Sequence, residues 1–195
     1  MRLIVNLLAF LGLITIILVA VALTQLPVNL SSISKFDANA GKVYMGMMQG
    51  IMDTGNAAEA TIWKVPVEEG LTPEDVEEAM KSVANEHNIK NVGELPLYKQ
   101  VASMSGKDYR FVKIYMFCDA LTASRMLDFS DAYSAYLPCR VSLVEDKTGK
   151  LWIYTLNMDM MIHGGHELPP ALKKEAIQVK TILTDIMNRG AAGEF

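Results

Sequence analysis

"RFVKIYMFCDALTASRML", residues 110–127, decides the fold because its periodicity changes in the middle. Val112, Ile114, Met116 and Cys118 fall on one face of an alternating run, the signature of a half-buried strand. Asp119 then offers a carboxylate to the free N–H groups of a first helical turn, and the residues to Phe129 read as a short helix. A strand that feeds directly into a capped helix is a unit of a mixed domain.

The same signals extend outward. "ATIWKVPV" (60–67) reads as a strand, and "LTPEDVEEAMKSVANEHN" (71–88) is the clearest helix of the chain. Thr72 caps it, Pro73 suits its first position, and Glu74 and Asp75 suit the positive end of its dipole. Val76, Ala79, Met80, Val83, Ala84 and His87 then recur at helical spacing, which places His87 on or beside the buried stripe. "NVGELPLYKQVASM" (91–104) reads as at least partly extended, and "LPCRVSLVEDKTGKLWIYTLN" (137–157) as two strands about a turn at Asp146–Gly149. "LPPALKKEAIQVKTILTDIMNRG" (168–190) closes the domain with a second amphipathic helix, its stripe running through Leu172, Ala176, Val179, Leu183 and Ile186, with Gly190 as its expected stop. The order β-α-β-β-α-β-β makes the class α+β.

Ahead of this domain, residues 3–23 contain only Asn6 and Thr15 as polar residues, and no charge intervenes between Arg2 and Lys35. Twenty-one residues reach roughly 32 Å as a helix, enough for a hydrocarbon core of about 30 Å. A cleaved signal peptide and a retained signal-anchor compete. Ala20 and Ala22 supply a small-residue cleavage pattern, but the run exceeds the ~7–15 apolar residues of a secretory core, which favours the anchor. The short positive end belongs in the cytoplasm, so the domain is expected in the periplasm, tethered to a bacterial inner membrane by a single pass. The expected organisation is a transmembrane signal-anchor over 1–30, a juxtamembrane helical linker over 31–59 and the α+β domain over 60–195. In the linker, Val43, Met47, Met48, Ile51 and Met52 share a helical face, read as an adaptable packing surface.

The formal net charge of −4 and the lack of any basic stripe argue against nucleic acid as a partner. The sequence holds no C-x-x-C, no C-x-x-C-H, no H-E-x-x-H and no glycine-rich phosphate loop.

At "YMFCDALTASRML" and "AYLPCRVSLVEDKTGKLWIY" the chain resembles the domain of unknown function 302 family (DUF302), whose members carry C-N-P before a short helix, then L-P-C and a strand entering an acidic turn and G-K. The likeness covers about residues 60–157. Asp119-Ala120 stands where the family has Asn-Pro, which keeps the capping oxygen and loses the rigid first turn. The resemblance implies a small α+β domain, a homodimer, and a link to sulfur metabolism through relatives with an added amino-terminal segment.

Cys118 and Cys139 are expected to stay unlinked. If their strands are parallel neighbours joined by a crossover helix, the thiols sit at opposite ends of the sheet, on the order of 20 Å apart, against the ~4.4–6.8 Å a bridge allows between Cα atoms. Cys118 precedes a helix amino terminus, where backbone N–H groups lower a thiol pKa, and is the candidate catalytic or sulfur-carrying thiol. Cys139 alternates inward with Val141 and Leu143 as a structural cysteine, kept with His87 as a candidate ligand-binding residue; for His87 the favoured reading is a helix-end histidine with its polar edge satisfied.

"LNMDMMIHGGHELPP" (156–170) poses the remaining question. If the last strand continues, Met158 and Met160 share the side of Trp152, Tyr154 and Leu156 and are packing residues. If the loop His163-Gly164-Gly165-His166 folds back, Met158, Met160, His163 and His166 become soft ligands for copper or haem. The cofactor is unknown. The functional expectation is a membrane-anchored binding module for a partner protein or a small sulfur or metal species. A thiol enzyme or sulfur carrier using Cys118, and a haem- or copper-binding protein, are the alternatives.

Overall fold

The structure is a computed structural model that describes residues 2–25, 32 and 34–195. Compactness divides the chain between Phe36 and Asp37. The first unit holds helix α1 (Arg2–Gln25), whose Ile4–Val21 stretch is long and apolar enough to cross a membrane and has no residue buried. The boundary expected at residues 30 and 31 lies outside the described residues.

The second unit begins with α2 (Ala40–Thr54), followed by a 3-10 turn, β1 (Ile62–Pro66), α3 (Pro73–Glu86), β2 (Lys90–Leu95), α4 (Leu97–Ser105) and β3 (Val112–Cys118). Then come α5 (Ala120–Phe129), a 3-10 turn at Asp131–Tyr136, β4 (Cys139–Glu145), β5 (Leu151–Leu156), α6 (Asp159–His163) and α7 (Pro170–Ala192). The α+β class and the order of strands match the sequence reading, with α4 added where an extended segment was expected. From Asp37 onward, the stretch read as a linker belongs to the second compact unit.

The five strands form one sheet in the order β1-β5-β4-β3-β2, every neighbour antiparallel. The parallel crossover between β3 and β4 is therefore corrected. Phe117 pairs directly with Cys139, so α5 and the 3-10 turn carry the chain out and back to the same end of the sheet. The β4–β5 hairpin forms because Asp146 accepts from the N–H groups of Thr148 and Lys150 and from the Thr148 hydroxyl, while Gly149 takes the left-handed backbone (φ +86°) that favours glycine.

Helices α3 and α7 cover one face only. Tyr115, Phe117, Val141, Leu143 and Ile153 point into that layer and are buried. The opposite face, with Ile114, Met116, Trp152 and Tyr154, is only half-buried. The face of Val112, Ile114, Met116 and Cys118 is thus the outer one, a correction whose cause is that the larger aromatic side chains Tyr115 and Phe117 take the core, with the Tyr115 hydroxyl satisfied by Glu77. The α3 stripe is buried from Val76 to Ala84 as expected, and Thr72 and Asp75 complete a reciprocal capping box.

Gly190 does not stop its helix, which runs on to Ala192 and is capped by Gly193 at φ +67°. Its work is contact: a β-carbon there would lie 2.4 Å from Met80 Cγ and 3.5 Å from Ile153 Cδ1. Gly190→Ala should therefore destabilise by about 1–3 kcal/mol through overpacking of a buried contact, read as a lowered midpoint in thermal unfolding. Trimming the opposing side chain in a Gly190→Ala, Met80→Ala pair should cost less than the two single effects added together.

Candidate functional site

Strand β5 stops at Leu156 because the Asn157 side chain accepts the Asp159 N–H and turns the chain into α6. The short helix sends Met158 and Ile162 into the core and Met160 and His163 into a cleft of about 750 Å³. Opposite them, α2 contributes Lys42, Val43 and Met47; Lys180 of α7 closes the side. Lys180 is ion-paired with Asp159 and stands 5.2 Å from the centre of the Trp63 ring. Lys42 forms no ion pair among the described residues.

What holds α2 there is a buried charge. The Asp37 side chain is fully buried, with Lys173 Nζ 2.6 Å and His163 Nδ1 3.1 Å from its Oδ2. Neither contact has hydrogen-bond geometry at that oxygen. Its other oxygen accepts the Asn39 N–H at 2.8 Å, and its own N–H donates to the Gly165 carbonyl. Burial pushes the Asp37 carboxyl up, but Lys173, the Asn39 N–H and His163 outweigh it and hold the group well below the usual carboxylate range. Tyr44 of α2 adds a hydroxyl hydrogen bond to the Gly164 carbonyl at 2.5 Å.

The sequence-derived candidates separate. Of the four soft ligands, Met160 and His163 line the cleft, Met158 lines a smaller cavity behind α6, and His166 is exposed and outside both. Among the described residues no three His, Cys, Asp or Glu side chains are grouped to hold a metal ion. His87 caps the end of α3, its Nε2 2.7 Å from Asp185 Oδ2 of α7, a helix-to-helix tie, and it lines neither cavity. Cys118 and Cys139, both free, meet at the smaller cavity. The expected separation of about 20 Å is overturned: Cys118 lies one residue past the partner of Cys139, which puts the Cα atoms about 6 Å apart on neighbouring strands.

The expected activation of Cys118 is reversed as well. Burial and the Asp119 carboxylate push its thiol up, and burial, with Cys118 beside it, pushes the Cys139 thiol up to about 11 against a smaller opposing effect of Arg140. The helix amino terminus is already served by Asp119, which accepts from the N–H groups of Leu121 and Thr122. Sequence reasoning missed Asp37, Lys42, Lys173 and Lys180, none of which sits in a motif; the only local hint is an Asp two residues before a helix cap position.

The family model for Domain of unknown function DUF302 matches residues 63–190. No curated protein matches the chain. Among solved structures, an uncharacterized conserved protein DUF302 from Bacillus stearothermophilus is similar at a TM-score of 0.53 and 18% identity, over 66% of this chain and 97% of that one.

The Asp37 contacts set a pH dependence. Because the folded value lies below the ordinary 3.8, the stabilisation is present in full above about pH 4 and is lost as pH falls through the folded value. Asp37→Asn should lower the unfolding midpoint at pH 7, and the gap from the parent protein should narrow steadily below pH 4. A gap that stays constant from pH 7 to pH 3 would show that the carboxylate charge is not what holds α2.

Proposed function

The chain belongs to the DUF302 family, and from that premise we propose that it is a membrane-anchored binding module whose cleft takes a small anionic ligand with an apolar part. The observation that supports this is the cleft itself. Its volume of about 750 Å³ lies in the range of small-molecule sites, roughly 300–1,000 Å³. In a chain of net charge −4 its wall carries Lys42 and Lys180 against the single carboxylate of Asp159, beside the apolar Val43, Met47 and Leu156. An organosulfur acid or sulfur oxyanion is the form in which the sulfur species implied by the family resemblance would suit such a wall.

The rest of the reading follows the membrane segment. The positive charge of Arg2 at the amino-terminal edge of the apolar stretch Ile4–Val21 supports a domain on the periplasmic side of a bacterial inner membrane, with α1 retained as its anchor. A homodimer is part of the proposal, with a second copy covering the half-buried apolar sheet face around Ile114, Met116 and Trp152. Binding is favoured over turnover because no cysteine or serine stands beside His163 among the described lining residues. Cys118, held protonated by burial, is poorly suited to act as a thiolate.

The test uses the full chain in detergent, titrated calorimetrically with sulfate, thiosulfate and a short alkylsulfonate. The alkylsulfonate should bind, and Lys42→Glu should weaken it at least tenfold, about 1.4 kcal/mol, with Lys180→Gln weakening it less because part of that charge is already spent on Asp159. Heat of binding absent for all three anions, or unchanged in Lys42→Glu, would overturn the reading.

A further inference from the structure

His163 reaches the cleft with a buried carboxylate at its back. Its Nδ1 is buried 3.1 Å from Asp37 Oδ2, while the side chain, 13% exposed, lines the cleft, so the ring edge away from Nδ1, where Nε2 is, is the part left to meet a ligand. Asp37 is ionised at neutral pH, and an Nδ1 lone pair against it would be repelled. The neutral ring therefore holds its proton on Nδ1 and carries a lone pair on Nε2. In that form it offers an anion no donor. The charged groups about the ring are meanwhile in balance. Lys173 of α7 meets both Asp37 and the exposed Glu167, and Lys180 of α7 is ion-paired with Asp159 of α6. Lys42 of α2 stands in the cleft wall without an ion pair among the described residues, and Tyr44 of α2 and Tyr136 of the 3-10 turn bring hydroxyls. Asp37, Asp159 and Glu167 thus stand against Lys42, Lys173 and Lys180, and a further positive charge on the ring has no negative partner until an anion enters.

We propose that His163 is a third anion-binding group of the cleft and engages the ligand as imidazolium, so that each anion enters together with one proton. The role presupposes the anion site read from the cleft and adds to it the ring and its proton. That proton comes from solvent and goes to Nε2, which then donates to the anion, while Nδ1–H stays against Asp37; no other bond is made or broken. The imidazolium so formed lies between two negative charges, the Asp37 carboxylate behind it and the ligand in front. By reciprocity, the anion raises the ring's affinity for a proton by the same factor as the proton raises the affinity for the anion. Anion binding therefore tightens as pH falls through the range in which histidine changes charge, about pH 8 to 5. This narrows the ligand class to strong-acid anions such as sulfonates, which keep their charge across that range. An oxyanion that itself takes up a proton near neutrality loses in its own charge what the ring gains.

Calorimetric titration of the full chain in detergent with a short alkylsulfonate, repeated in buffers of different ionisation enthalpy, reads the proton directly. At pH 7.5 an uptake of about half a proton or more per anion is expected, with binding at pH 6 about fivefold or more tighter than at pH 8. His163→Gln should bind at pH 8 much as the parent does and lose both the uptake and the pH dependence. The His87→Ala, His166→Ala pair leaves His163 as the one histidine of the chain and should take up the proton as the parent does. Binding without uptake in the parent would overturn the role of His163 and leave the anion site standing, whereas no binding at any pH overturns both. Uptake that persists in His163→Gln, or vanishes in the His87→Ala, His166→Ala pair, would also overturn the role. If His163→Gln fails to fold, as judged by circular dichroism, the double variant decides.

Discussion

Two amphipathic helices must bury their stripes on the one inner face of the sheet, and the contact that lets them do so is Gly190 of α7 against Met80 of α3 and Ile153 of β5. Five strands at about 4.8 Å spacing span roughly 20 Å between the outermost axes, and two helices packed about 8–10 Å apart cover the middle of that width. The α3–α7 contact is the most extensive between helices in the domain. Helices α5 and α2 lie at the margins of that layer, α5 against α7 and α2 against α6. Where α5 meets α7 at the end of β3 the small sulfur-lined cavity remains, and where α2 meets α6 the large cleft remains.

The cleft depends in addition on a charge taken out of water. Burying Asp37 is unfavourable unless its partners are fixed, and they are: Lys173 belongs to the first turns of α7, and His163 ends α6. Gly164 serves this arrangement by being small and close, not by being loose. A β-carbon on Gly164 would lie 2.3 Å from the Met160 carbonyl oxygen, and the Gly164 and Gly165 carbonyls accept from Tyr44 and from the Asp37 N–H. A short turn thus receives α2 and the residue ahead of it at two points, and Gly50 lets the far end of α2 approach Ala60 closely.

What could be seen in the sequence was what is local. The α3 stripe, its capping box, the Asp119 cap and the Asp146 hairpin each lie within a few residues of their partners, and each was legible. Strand β3 was legible as a strand and not as to its face, because Lys113 is the only interior residue that is not apolar or aromatic and alternation has little to mark. The direction of β4 was hidden for another reason: a helix between two strands serves an antiparallel return as well as a parallel crossover when a 3-10 turn follows it. Asp37 had no signature at all, since its partners Lys173 and His163 stand far along the chain. The two cysteines inherited the error in β4, so a pair brought together by the sheet was read as a pair held apart.

The methionines and histidines of residues 158–166 show how one wrong period scatters a correct intuition. With period two, Met158 and Met160 share a face and Met161 opposes them. The chain is helical there, so positions three apart share a side: Met158 with Met161 toward the thiols, Met160 with His163 toward the cleft. What looked like one soft cluster is two pairs on opposite sides of a single turn of helix. The first pair lines the small cavity with Cys139 and Met126, which a strand and a helix distant along the chain contribute. The other pair faces lysines and an asparagine, where a thioether is simply apolar wall. Helix α6 is therefore the partition between a sulfur-lined cavity and a cationic cleft, and its register alone assigns each side chain to one chemistry or the other.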